Sequence, residues 1–387
     1  MRVAIFTSTY HPTLNGVANC VAAYRKGLQA RGHEVFIFAP APADYDPAQD
    51  EQNTLRFPSV PFPGDWDYDI AVPYSAPVMK TLRKVPFDIV HTQHPVWVGV
   101  WGQWFATWEG LPLVTTVHTE YELYTQLVPL PEQLVDAYLK TRVTTYCNKC
   151  HVVTTPVRST RDRLMRRGVV TPIELLRNPI DVSAMPEPAP EKVRAEHALG
   201  DDFVVGFIGR LAPEKNLNTV LKAAALVMQH TPRCRFLMVG AGAELRGLKA
   251  CAAELGIADR VVFTGAVEHA QVMHYHAALD AFITASMSET QPLSYTEAMA
   301  AGTPIVAVKA PGAQDMIRHE HNGLLSPPED GAEGLATQVL RLIQQPDLRK
   351  GIIDTASERV GEYDISAVTR RLEEIYEMAV DRHSTFA

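Results

Sequence analysis

Short apolar runs recur along the chain. Each is bounded by glycine, proline or polar residues, and the stretches between them return apolar positions every three or four residues. RVAIFTS at 2–8 is the first, followed by a loop over Thr9–Gly16, a helix-period segment over Val17–Ala30 that stops at Gly32, and a second strand over Glu34–Ala39. Strand, helix, strand in that order predicts a parallel βαβ unit. Further runs at 88–92 (DIVHT), 113–118 (LVTTVH) and 151–156 (HVVTTP) extend it into a parallel sheet with helices on both faces.

After Asn178 the segment IDVSAMPEPAPEKV alternates prolines and acids, which predicts a stiff connection rather than a core element. The pattern then restarts: FVVGFIGRL (203–211), a helix from Asn216, RFLMVG (235–240), a helix from Ala243, RVVFTG (260–265), a helix near 269–277, LDAFITAS (279–286) and PIVAV (304–308). The prediction is two doubly wound α/β domains, 1–179 with a terminal helix 365–387 packing back on it, and 180–364. Ligands of such sheets sit beyond the carboxyl ends of the strands, so the active site is expected in a cleft between the domains.

Composition narrows the class. At 387 residues and 46% hydrophobic the chain is long enough for two separate cores. No apolar run approaches the roughly 20 residues that span a bilayer. MRVAIFTSTYHP has one Arg and no small-residue cleavage site, which fits a buried strand rather than a secretory signal. Five scattered cysteines form no disulfide framework, in keeping with a reducing cytoplasm. Residues 1–178 hold 17 Lys and Arg against 16 Asp and Glu, whereas the remainder holds 19 against 28, so nucleic acid is not an expected partner of the second half. Within the first half, Lys140, Arg142, Lys149, Arg158, Arg161, Arg163, Arg166 and Arg167 face a single acid, Asp162, between 137 and 167. This cluster reads either as a solvated helix face or as a surface drawn to anionic lipid, at about 1 kcal/mol per basic residue near the membrane.

The chemistry gathers in the second half. The loop GRLAPEKN brings Arg210 and Lys215 to the carboxyl edge of the second sheet, and two cations near a helix start suit a diphosphate. In SETQPLSYTEAMAAG, Pro292 suits a helix start and Gly302 its end, placing Glu289 in the loop before the helix and Glu297 inside it. N–H groups from Gln291 to Ser294 point toward the same space as Glu289. Glu297 is a carboxylate able to accept from two vicinal hydroxyls, such as those of a ribose.

These motifs together resemble the retaining glycosyltransferases of family 4, whose fold is GT-B: two doubly wound Rossmann-like domains facing a central cleft. The resemblance also takes in NGV at 15–17, RNPID at 177–181, VGAG at 239–242, FTGAV at 263–267 and NGLLSPPED at 322–330. It implies that Arg210 and Lys215 hold a donor diphosphate, Glu297 the ribose and the backbone around Val267 the base. It further implies that Glu289 binds the donor sugar, helped by Gln291, Leu293 and the neighbours of Pro292, and that Gly16 allows close approach to the phosphates. His118 stands where the family has a histidine that contacts the transferred sugar, so the implied catalytic set is His118, Glu289, Arg210 and Lys215. Asn15 and Pro179 depart from the pattern, since many members have glycine at both positions.

HTEYELY at 118–124 and HTQHPVWVGVWG at 91–102 resemble the diacylglycerol glucosyltransferases within the family. That likeness marks His94, Tyr121, Glu122, Trp97 and Trp101 for the acceptor. It implies transfer of glucose from UDP-glucose to a lipid such as 1,2-diacylglycerol, at the inner face of the cell membrane. No cofactor is required beyond the nucleotide sugar, with a divalent metal at most stimulatory. A soluble or polyprenyl-linked acceptor, or a nucleotide-sugar epimerase on the same fold, is the alternative; a dinucleotide oxidoreductase is disfavoured because no G-x-G-x-x-G follows the first strand.

Trp97, Trp101, Trp104 and Trp108 fall within an arc of roughly 60° if one helix carries them all, a stripe suited either to the core or to a lipid interface. CNKCH at 147–151 matches haem attachment literally, but it leads straight into a strand and no second ligand pair follows it. The acids at 44–46 and 65–69 lie among prolines and read as solvated loop residues.

Overall fold

The structure is a computed structural model, and it describes residues 1–13, 15–42, 45–61, 69–72, 74–118 and 132–386. The chain forms two compact units, Met1–Ile180 with Asp364–Ala387, and Asp181–Tyr363.

The first unit contains β1 (Arg2–Phe6), α1 (Gly16–Ala30), β2 (Glu34–Pro40), β3 (Thr54–Phe57), β4 (Ser59–Pro61), β5 (Asp69–Ala71), α2 (Ala76–Lys84), β6 (Ile89–Thr92), α3 (Val98–Glu109), β7 (Leu113–Thr116), α4 (Glu132–Cys147), β8 (Val152–Thr155), α5 (Arg158–Arg166) and β9 (Ile173–Leu175). The second contains α6 (Pro190–Glu196), β10 (Phe203–Ile208), α7 (Leu217–His230), β11 (Cys234–Val239), α8 (Leu245–Glu254), β12 (Val261–Gly265), α9 (Val272–Ala278), β13 (Ala281–Thr284), α10 (Leu293–Ala300), β14 (Ile305–Val308), α11 (Pro311–Met316), β15 (Leu324–Ser326), α12 (Gly331–Gln344) and α13 (Pro346–Val360). The last helix, α14 (Ile365–Phe386), returns to the first unit.

Both main sheets are parallel. Their orders are β3-β2-β1-β6-β7-β8-β9 and β12-β11-β10-β13-β14-β15, so the direction of strand addition reverses between β1 and β6 in one and between β10 and β13 in the other. β4 and β5 form a separate antiparallel pair. The central strands are buried on both faces, which is why they read as mostly apolar runs.

In the first unit Phe6, Phe38, Val90 and Val153 face α2 to α5 through Val78, Ala106, Val143 and Leu164. On the opposite face Val3, Ile5, Ile37 and Val114 meet Val21, Tyr24 and Leu28 of α1 and Leu372, Ile375, Tyr376 and Ala379 of α14. His91 of β6 pins α14 to the sheet, with Nδ1 2.9 Å from the Tyr376 hydroxyl and Nε2 2.7 Å from Thr116 Oγ1. Glu373 of α14 pairs with Arg31 and His33, and Arg371 with Glu174. The proline-rich segment expected to be only a connection is partly core: Pro190 starts α6, where a fixed φ suits the first turn, and Val193 is buried.

Trp101, Trp104 and Trp108 share one face of α3, and that face is largely exposed. Trp97 precedes α3 with φ 47°, Trp101 is half-buried edge-on to Phe57 with ring centroids 5.0 Å apart, and Trp104 and Trp108 stand exposed at 67% and 88%. The cause lies on the other side of α3. A Cβ on Gly99 would come 1.7 Å from the His94 carbonyl oxygen, and one on Gly102 2.7 Å from Thr92 and 2.8 Å from the Phe6 ring. The helix meets the sheet through its smallest residues, so the large ones point away.

Gly102→Val is therefore expected to destabilise the protein by about 1–3 kcal/mol through overpacking. Trp108→Ser, on the exposed face, is expected to change stability by less than about 0.5 kcal/mol. Urea unfolding of both variants measures the contrast.

Candidate active site

In the second unit the strand reversal between β10 and β13 opens a crevice beyond their carboxyl ends. The loop after β10 carries Arg210 and ends in a 3-10 turn, Pro213–Lys215; the loop after β13 carries Glu289. The two loops meet in an ion pair between Lys215 Nζ and Glu289 Oε1, both side chains mostly buried. Arg210 is exposed and pairs with Glu214 at 3.0 Å. The expected diphosphate cations thus each face a carboxylate of their own unit, which lowers the cost of gathering like charges at one strand edge.

The glycines of VGAG form the bed of this loop. A Cβ on Gly240 would stand 1.9 Å from the Gly209 carbonyl oxygen, and one on Gly242 2.3 Å from that of Leu211. The Leu211 N–H donates to the Ala241 carbonyl at 2.9 Å and the Gly209 N–H to that of Val239 at 3.0 Å. Gly312 of α11 does the same for the other loop, since a Cβ there would come 2.0 Å from the Glu289 carbonyl oxygen. The sequence reading passed over Gly312, and the PG pair at a helix start was its only signal.

Pro292 caps α10, Leu293 is its first residue, Gln291 is buried just before it, and Gly302 follows the helix with φ 71°. Glu297 lies inside α10 with most of its side chain covered, its Oε2 3.6 Å from His276 Nε2. Val267 sits two residues beyond β12. Tyr295 of α10 is buried; burial first and the Glu289 charge second raise its hydroxyl far above the usual tyrosine range, so it stays neutral.

In the first unit the reversal between β1 and β6 gathers a second group. Gln93 and His94 follow β6, Ser8 follows β1 and His118 follows β7. His118 Nε2 is 2.8 Å from Gln93 Oε1, and the Ser8 N–H donates to His94 Nδ1 at 3.4 Å, which puts the His94 proton on Nε2. The two rings lie 6.3 Å apart. Gln93 and Asn178 were not singled out from sequence, although both lie in quoted motifs. Gly16 begins α1 instead of ending the loop, and among the described residues nothing beyond its chain neighbours and own helix lies within 4 Å of where its Cβ would stand. Asn15, in place of a glycine, is the helix cap: its Oδ1 accepts from the Ala18 N–H at 2.9 Å while its Nδ2 donates to Thr9 Oγ1 at 2.8 Å. Tyr121 and Glu122 lie outside the described residues. Cys147 and Cys150 are core residues whose thiols burial pushes up, to about 12 for Cys147.

Comparison with known proteins bears on both units. The family description "Glycosyltransferase Family 4" matches residues 14–184 and "Glycosyl transferases group 1" matches residues 190–359. The alpha-monoglucosyldiacylglycerol synthase of Streptococcus pneumoniae is 31% identical over 97% of this chain and 85% of its own. The chain belongs to the family 4 glycosyltransferases. This hexosyltransferase is also 25% identical to the alpha-monoglucosyldiacylglycerol synthase of Acholeplasma laidlawii, over 99% of this chain and 98% of that one. Its GT-B fold is shared with the HepE protein of Anabaena, solved in complex with UDP: TM-score 0.79, 21% identity, 97% of this chain and 100% of that one. Among the described residues of the glycosyltransferase, no three His, Cys, Asp or Glu side chains stand together as metal ligands, and no helix is long and apolar enough to cross a membrane.

Burial lowers His91 and His94 to about 3 and His118 to about 4; the His118 charge adds to the first two shifts, and a hydrogen bond with Asn178 partly offsets the third. These rings are neutral when folded, whereas unfolded histidine takes up a proton near 6.5. Their contribution is therefore complete above about pH 6.5 and is lost as pH falls toward 4 and below, at about 2 kcal/mol per histidine by pH 5. Urea midpoints at pH 7.5, 6 and 5 are expected to fall in that order, and His91→Gln to flatten the decline. A level profile would contradict neutral burial of these rings.

Proposed function

We propose that the enzyme transfers glucose from UDP-glucose, with retention at the anomeric carbon, to a lipid acceptor such as 1,2-diacylglycerol. The observation that carries the donor half is the meeting of Lys215 and Glu289 at the strand reversal of the second unit. In this reading Lys215 and Arg210 turn from their carboxylates to the diphosphate, and Glu289 is released to the hydroxyls of the sugar. Charge develops on the departing diphosphate, so fixed cations and the N–H groups of Gln291 and Leu293, on either side of Pro292, act where stabilisation counts most. Glu297 takes the ribose and the backbone at Val267 the base. No carboxylate nucleophile was evident in the sequence for the opposite face of the sugar, so departure and attack occur on one face through an oxocarbenium-like state.

The first unit takes the acceptor. His118, held neutral by burial and oriented by Gln93, is suited to a hydrogen bond with the transferred sugar, and the open Cβ position at Gly16 suits close approach of the phosphates. His94, Tyr121, Glu122, Trp97 and Trp101 belong to the acceptor side. Near full-length likeness to two alpha-monoglucosyldiacylglycerol synthases supports a diacylglycerol acceptor. So does the layer of α2 to α5 that covers one face of the sheet, in which Trp104 and Trp108 of α3 are exposed, as are Lys80, Arg83 and Lys84 of α2 and Lys140 and Arg142 of α4. Indole rings within a basic field fit an anionic bilayer, with the enzyme peripheral on the cytoplasmic face.

Labelled UDP-glucose incubated with diacylglycerol in mixed micelles is expected to deliver label to the organic phase as an α-glucoside. Label that stays in the aqueous phase, or an epimerised nucleotide sugar, would refute the reading. Lys215→Ala is expected to lower turnover by about two orders of magnitude or more while the chain remains folded. Vesicles containing phosphatidylglycerol are expected to sediment the enzyme, and Trp104→Ser with Trp108→Ser to weaken that binding; equal sedimentation with neutral vesicles would remove the membrane surface.

A further inference from the structure

The second unit holds a histidine that none of the roles above employs. His276, on α9, is fully buried, and among the described residues neither ring nitrogen has a hydrogen-bond partner. Its backbone is well satisfied, since the carbonyl accepts from Thr303 Oγ1 at 2.6 Å and from the Leu279 N–H at 3.0 Å, which fixes the end of α9. The ring is held as firmly. Its centroid lies 5.4 Å from that of Phe282 on β13, and Phe282 in turn meets Tyr295 of α10 edge-on at 6.1 Å. An imidazole in such a place loses its water and gains no hydrogen bond in return, a cost that apolar side chains avoid.

Among the described residues it forms an ion-pair contact with Glu297, whose Oε2 stands 3.6 Å from His276 Nε2. That separation lies just beyond hydrogen-bond length, and a small rotation of the glutamate side chain closes it. Glu297 lies in the middle of α10 with 13% of its side chain exposed, whereas His276 is fully buried, so the imidazole meets the carboxylate from the protein interior. A carboxylate that is to accept from two adjacent hydroxyls must hold both oxygens in one plane, and an unrestrained glutamate loses considerable rotamer freedom when it does so. A donor fixed behind one oxygen removes part of that cost before the ligand arrives.

We propose that His276 is a positioning residue for nucleotide recognition: donation from Nε2 to one oxygen of Glu297 orients the carboxylate for the vicinal hydroxyls of the donor's ribose. The inference rests on the reading that Glu297 takes the ribose, and its test separates the two. Calorimetric titration of the full chain compares UDP, GDP and ADP with their 2′,3′-dideoxy counterparts, using whichever pair the wild type binds. Wild type is expected to prefer the ribose form by about 30-fold, the scale of one hydrogen bond to a charged group. His276→Phe is expected to reduce that ratio to about 3-fold or less while leaving affinity for the dideoxy form within about twofold, and His276→Gln, whose amide still reaches Glu297, to restore most of it. The unchanged dideoxy affinity also reports a folded site; should the Phe variant not fold, His276→Asn, too short to reach, carries the same comparison. A wild-type ratio in the Phe or Asn variant, or a Gln variant as impaired as Phe, overturns the role of His276 alone. A wild type indifferent to the ribose hydroxyls, or Glu297→Gln with its ratio intact, overturns the assignment of Glu297 and the inference with it.

Discussion

Two parallel strand contacts, β1 with β6 and β10 with β13, govern where everything else falls. In each sheet the first three main strands are laid down outward from the centre in one direction, and the chain then crosses back to build in the other. Loops leaving the two central strands must diverge, because their helices lie on opposite sides of the sheet. The divergence leaves a crevice whose walls are loop backbone and whose floor is a fully buried strand pair. Ser8, Gln93, His94 and His118 stand at one such place, and Arg210, Lys215 and Glu289 at the other.

The two crevices solve the problem of burying polar groups in different ways. In the first unit the groups are histidines and amides that stay uncharged and bond to one another, as Gln93 does with His118 and Ser8 with His94. In the second they are full charges in matched pairs, Lys215 with Glu289 and Arg210 with Glu214. A neutral network favours fixed orientation, since each tautomer is set by its neighbour. A set of paired charges favours exchange, since either partner is already partly desolvated and has only to replace one opposite charge by another.

Much of this was legible beforehand. The alternation of apolar runs and helical stretches located the central strands of both sheets because a parallel strand buried on two faces is mostly apolar, while the short edge strands β3, β9 and β15 gave no such run. Glu289 and Glu297 were separable by the proline between them, and Arg210 and Lys215 by the strand they follow. What escaped were contacts between loops distant in sequence. Gly312 supports the backbone of Glu289 without contributing a side chain, and His276 faces Glu297 across two helices, so neither leaves a local pattern. The tryptophan spacing left core and surface open because periodicity counts large residues, whereas α3 is seated by the space that Gly99 and Gly102 leave.

The return of α14 has a consequence for synthesis. Leu372, Ile375, Tyr376 and Ala379 complete one face of the first unit's core, and His91 waits inside that face for the Tyr376 hydroxyl. On the ribosome the first sheet emerges early but stays open along one side while all of Asp181–Tyr363 is made. The second unit is encoded without interruption and has no such wait. The order of completion is thus opposite to the order of the chain: the unit translated later closes its core first, and the unit translated first is sealed last.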